Sequence, residues 1–186
     1  FFGVKYSKVI VGSNVRLLFS NSFDFENLKN RNVFIDRTFS GNFSGGTNSK
    51  IPSVNYNKVY QGDLTKNFDM AQIFAGYTDL NYPGSVDYQS IKYGYGTYLG
   101  KKTFEVSFNR IRELGVYDDS RILTSHIIIL EDNSYYIKVS NKANQYNAIY
   151  GAQNATGTRA VWPVNNDVTS IYNNGKWGVG SNPVSY

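Results

Sequence analysis

Apolar and polar positions alternate with a period of two over short stretches of the chain, and Gly, Asn, Ser and Asp interrupt them about every ten residues. This is the pattern of antiparallel strands joined by turns. Lys102-Thr103-Phe104-Glu105-Val106-Ser107-Phe108 is the plainest case. Phe104, Val106 and Phe108 fall on one face and Thr103, Glu105 and Ser107 on the other, because successive strand side chains point to opposite faces. Residues 121–130 are apolar on both faces, with Ile127 and Ile129 opposing Ile128 and Leu130, which predicts a central strand covered on both sides. The run then meets the turn cluster Glu131-Asp132-Asn133-Ser134 and continues as Tyr135-Tyr136-Ile137-Lys138-Val139, giving a predicted central hairpin. Further strands are expected at residues 4–11, 15–19, 33–39, 54–60, 86–93, 158–162 and 168–172, with Asn174-Gly175 supplying a type I′ turn into Lys176-Trp177.

Residues 64–75 fit two elements. They read as a strand, or as a helix capped by Asp63, with Leu64, Phe68, Ala71 and Ala75 spaced four, three and four and Gly76 at the stop. Residues 41–49 and 143–158 are Gly- and Asn-rich and lie between strand candidates, so they read as loops and not as domain linkers. The expectation is one all-β domain over residues 1–186, a mainly antiparallel sandwich or barrel with at most one short helix. Its core should include Phe104, Val106, Phe108, Ile127, Ile128, Ile129, Leu130, Ile137 and Val139.

Composition narrows the chemistry. The 186 residues include 16 Tyr, 12 Phe and 22 Asn, and charged residues make up 18%, below the usual quarter. So many aromatics argue for a folded chain. With no Cys and one His, disulfide frameworks, thiol nucleophiles, Cys-based zinc and iron–sulfur sites and histidine-rich metal sites are excluded, and no cofactor is expected. The longest aliphatic run is residues 127–130, against roughly 20 apolar residues for a membrane span, so no membrane insertion is expected. The opening Phe1-Phe2-Gly3-Val4-Lys5 has neither an initiator Met nor signal-peptide character, which suggests a processed form or an excised domain.

His126 sits in phase with Ile128 and Leu130, so it reads as a hydrogen-bonded core residue and not as the base of a triad, and no G-x-S-x-G elbow accompanies it. Asp118-Asp119, with Asn109 or Ser120, reads as a turn and not as a calcium site. A glycosidase needs only two carboxylates about 5–9.5 Å apart. Asp24 and Glu26 would share a face if extended, and Glu105 and Glu131 lie at or beside strands, but no spacing ties any pair together, so a non-enzyme is expected. The segment from Gly94 to Lys102 has the look of a phosphate-binding loop, yet its glycine spacing is wrong, Lys102 stands where Ser or Thr is needed, and a strand follows. The net charge of +5 comes from scattered residues. Lys29 with Arg31, Lys101-Lys102 and Arg110 with Arg112 form no backbone-tracking stripe, so no nucleic-acid partner is expected.

The aromatic distribution is the distinctive feature. Tyr77, Tyr82, Tyr88, Tyr93, Tyr95 and Tyr98 are interleaved with Asp79, Asn81, Asp87, Gln89, Gly94 and Gly96. Rigid amphipathic rings beside small polar residues suit recognition, and saccharides in particular, whose C–H faces stack on rings while their hydroxyls pair with Asp, Asn and Gln. Tyr82-Pro83-Gly84 and Gly94-Tyr95-Gly96 read as turns that present rings to solvent. Trp162 and Trp177, with Tyr146, Tyr150 and Tyr172, form a second concentration. The candidate ligand-binding residues are therefore Tyr77, Tyr82, Tyr88, Tyr93, Tyr95, Tyr98, Trp162 and Trp177. The sequons at Asn42 and Asn154 are no more than this composition yields by chance.

A cysteine-free, Tyr-, Asn- and Gly-rich, mostly β chain of this size resembles the receptor-binding tip domains of bacteriophage tail fibres and related viral attachment proteins. The resemblance implies a homotrimer on the virion surface, binding a cell-surface glycan or protein receptor without catalysis. An extracellular bacterial adhesin or carbohydrate-binding module shares this chemistry. A β-rich glycan-cleaving enzyme is the alternative of another class.

Overall fold

The computed structural model of the chain describes residues 1–21, 33–34, 51, 58–61, 64–67, 71–77, 80–81, 89–113, 122–141 and 149–161. These are all-β, as expected, and contain no helix. One five-stranded sheet has the order β1 (Ile10–Gly12), β2 (Arg16–Phe19), β6 (Ala71–Tyr77), β12 (Ile149–Gln153), β13 (Ala160–Val161). A second runs β11 (Tyr135–Asn141), β10 (Ile122–Leu130), β9 (Lys101–Glu113), and along its length β9 is then met by β8 (Ser90–Tyr98) and, at its far end, by β7 (Leu80–Asn81). A third joins β3 (Val33–Phe34), β4 (Lys58–Gln61) and β5 (Leu64–Asn67). Every pairing is antiparallel.

The two larger sheets share one core, which gives the domain its sandwich-like character. Val15, Leu17, Ile73, Ala75, Tyr150 and Ala152 from the first meet Val106, Phe108, Ile111, Leu123, Ile127, Tyr135, Ile137 and Val139 from the second. Direct partners across the second sheet are Val106, Ile127 and Ile137, so the period-two reading of these strands holds residue by residue. Phe104 and Ile129, expected in the core, are only partly buried and lie at its margin. β10 is central, as predicted: Ile127 and Ile128 are buried on opposite faces. The helix reading of residues 64–75 gives way to strands β5 and β6. All seven residues of β6 are buried between β2 and β12, so tertiary burial overrides the helical spacing, and Gly76 lies within a strand at φ +111°.

Strand bounds also shift. Residues 4–9 precede β1 without joining it, residues 158–159 precede β13, and the strand expected at 86–93 runs instead from Ser90 to Tyr98, while residues 54–57 and 162 lie outside the described residues. Residues 35–39 and 168–172 and the turn at Asn174-Gly175 lie outside the described residues.

β8 and β9 are joined by Leu99-Gly100, both with positive φ (53° and 76°), the type I′ geometry that matches strand twist. A left-handed conformation costs a leucine about 1–2 kcal/mol, and Leu99 is 65% exposed, so its side chain returns little. Leu99→Asn should therefore stabilise the protein by about 0.5–1 kcal/mol and raise Tm by about 2–3 °C in a thermal melt. The β10–β11 turn lies at the same end. Asp132 there accepts hydrogen bonds from the Ser134 amide and hydroxyl and pairs with Lys101, which, with Ser134, holds its carboxyl well below the usual carboxylate range.

Candidate recognition surface on strand β8

The period of two in β8 sorts its residues onto two surfaces. Ile91, Tyr93 and Tyr95 lie on the core-side face, opposite Phe108, Val106 and Phe104 of β9, while Lys92, Gly94, Gly96 and Tyr98 lie on the outer face opposite Ser107, Glu105, Thr103 and Lys101. Tyr93 and Tyr95 are 74% and 84% exposed although they share a face with the core. Their ring centroids lie 6.3 and 5.6 Å from that of Phe104. Phe104 thus flanks the two tyrosines as the third ring of an aromatic platform, a role its alternation with Val106 and Phe108 concealed. Two ring-bearing positions two residues apart in a strand are about 7 Å apart, the scale of one or two sugar rings.

Tyr98 is not part of this platform. It sits half-buried on the outer face, with its ring edge-on to Tyr136 at 5.1 Å and the Lys138 Nζ 4.3 Å from its centroid. Tyr77, expected at the surface, is 2% exposed and packs beside Phe74, with the buried Arg16 guanidinium 4.6 Å from its ring, so it is a core residue. Tyr150 and Gln89 are buried as well. Tyr82, Tyr88, Trp162 and Trp177 lie outside the described residues, as do Tyr146 and Tyr172. Gly94-Tyr95-Gly96, read as a turn, is regular strand, and the hairpin turn is the following Leu99-Gly100.

His126 is not the core histidine expected. Its phase with Ile128 and Leu130 is as read, but that face is the outer one, and His126 is half-buried there with its Nε2–H donating to Glu105 Oε2 at 3.1 Å. The Thr103 hydroxyl donates to Glu105 Oε1 at 2.6 Å. Burial pushes the His126 imidazole below its ordinary value, and Lys138 adds to this, outweighing the opposing pull of Glu105. The unfolded chain therefore takes up a proton near pH 6.5 that the folded protein resists. The stability this group contributes is complete above that pH and is lost as pH falls below it. Tm should decline between pH 7 and 5.5, and His126→Gln should flatten the decline, as thermal melts across that range will record.

Of the carboxylates weighed for a glycosidase, Glu105 is held by the Thr103 hydroxyl and His126. Glu131 stands at the β10–β11 turn with its Oε1 accepting the Lys102 amide, three residues along β9 from Glu105, and Asp24 and Glu26 lie outside the described residues. No group of three or more His, Asp or Glu side chains placed to hold a metal occurs among the described residues.

Fold and surface together define an antiparallel β protein, built on two larger sheets and a smaller third, with exposed aromatic rings on a strand that pairs on one side among the described residues. No family model, no curated protein and no solved structure matches the chain.

Proposed function

We propose that this protein recognises a cell-surface glycan without catalysis, as the attachment domain of a phage tail fibre or similar viral protein displayed on the virion surface. The observation that supports this reading is the pair Tyr93 and Tyr95, exposed side by side on one face and flanked by Phe104 on the next strand. Soluble proteins seldom leave neighbouring large rings in water, and such patches mark interaction sites. A tyrosine offers a saccharide a stacking face and a hydroxyl at little cost in side-chain entropy.

Screening the intact chain on a glycan array tests the proposal. Binding to a defined saccharide that weakens in the Tyr93→Ala, Tyr95→Ala variant is expected. Binding that survives the double substitution would remove the platform from the site, and release of reducing sugar from the bound glycan would replace recognition with hydrolysis.

A further inference from the structure

We infer that β8 pairs with the same strand of a second copy of this chain, antiparallel and about a two-fold axis through Gly94, so that the second sheet runs continuously through both molecules. Among the described residues β8 pairs with β9 alone. Proteins ordinarily blunt such an edge with brevity, proline, a bulge or charged side chains, and the one charge on β8 is Lys92. β8 has nine residues, no proline and an unbroken register with β9.

The edge is complementary to itself. With Gly94 on the axis, Tyr93 lies opposite the partner's Tyr95 and Lys92 opposite the partner's Gly96. Lys92 is exposed and forms no ion pair among the described residues. Glu105 Oε1 lies 3.0 Å from where a Cβ on Gly96 would sit, so within each molecule the carboxylate leans over the position that the partner's Lys92 would cross. Opposed strand residues have Cβ atoms about 5 Å apart. The four-carbon stem of lysine spans that gap and brings its ammonium to the carboxylate, and symmetry makes the pair twice. A Cβ at Gly96 would obstruct this path. On the other face the tyrosines would form one row of four rings. The pairing does not depend on what those rings bind, and it closes at two, unlike the trimer that the fibre-tip resemblance implies.

The chain has no cysteine, so a single introduced thiol reports on one position. A Cβ at Gly94 meets nothing within 4 Å, and Gly94 is not among the positive-φ glycines, so Gly94→Cys fits the fold. Across the axis the two Cα atoms would be about 4.5 or 5.5 Å apart, within disulfide range. Thr97 faces the partner's Ile91, leaving the two copies of Thr97 about 20 Å apart. Under mild oxidation at micromolar concentration Gly94→Cys should convert to a covalent dimer and Thr97→Cys should not. Analytical ultracentrifugation of the unmodified chain should show a monomer–dimer equilibrium, weakened about tenfold or more in Lys92→Glu, with an unchanged melting temperature at concentrations where both proteins are monomeric. A Gly94→Cys protein that stays monomeric, equal cross-linking at both positions, or a native mass that is monomeric or trimeric at high concentration would overturn the inference. Loss of glycan binding with the dimer intact would count against the proposed function alone.

Discussion

Gly76→Ala will lower the melting temperature by about 10 °C while Gly94→Ala leaves it unchanged or slightly higher. At Gly76 φ is +111°, which an L side chain rarely adopts, and a Cβ there would lie 2.8 and 2.9 Å from the two terminal methyls of Leu123 and 3.2 Å from the Tyr150 hydroxyl. Leu123 is fully buried between the sheets and has nowhere to move. Backbone strain of about 1–2 kcal/mol adds to about 1–3 kcal/mol of overpacking, and each kcal/mol is worth about 2–4 °C in a chain of this size. Gly94 presents open space, so the same substitution gains strand propensity and meets nothing. Thermal melts of the two variants side by side check this. Equal effects would mean that the packing of β6 against Leu123 is not as described.

Replacing both Tyr93 and Tyr95 by alanine will reduce saccharide affinity by about 30-fold with a change in Tm of no more than about 2 °C. Each stacking ring is worth about 1 kcal/mol, and two together about 2 kcal/mol if they act independently. Because 74% and 84% of these residues is already in water, folding hardly depends on them. Tyr98→Ala should do the reverse, since its ring packs on Tyr136 and Lys138 on the other face of the sheet: it loses stability and keeps binding. Isothermal titration with the saccharide identified on the array, together with melts of the three proteins, separates the two surfaces. A binding loss in Tyr98→Ala equal to that of the double variant would place the site on the outer face instead.

The site was partly legible in the chain. The Tyr-Gly-Tyr-Gly repeat at 93–96 puts two rings on one face and two glycines on the other wherever it forms a strand, and reading it as a turn hid that consequence. Glycine carries both meanings, and only the pairing of β8 with β9 along its length decides between them. Tyr77 and Tyr93 are alike in sequence, a tyrosine within a short β-prone run. One is 2% exposed and the other 74%, and no local pattern distinguishes these fates.

What the sequence determined by itself is what depends on near neighbours along the chain. The all-β class, the hairpin of β10 and β11, and the burial of Val106, Phe108, Ile127, Ile137 and Val139 follow from period two and turn chemistry, because each strand must turn its apolar side to a core wherever that core lies. The tertiary structure alone decided which sheet covers which stretch of strand. It buried both faces of β6 and turned a helical spacing into a strand, it left Tyr93 and Tyr95 of β8 exposed, and it held Val15 and Leu99, neither a glycine nor an asparagine, at positive φ. The physical reason is that burial sums contacts from residues distant in the chain, and it outweighs a local preference of about 1 kcal/mol per residue.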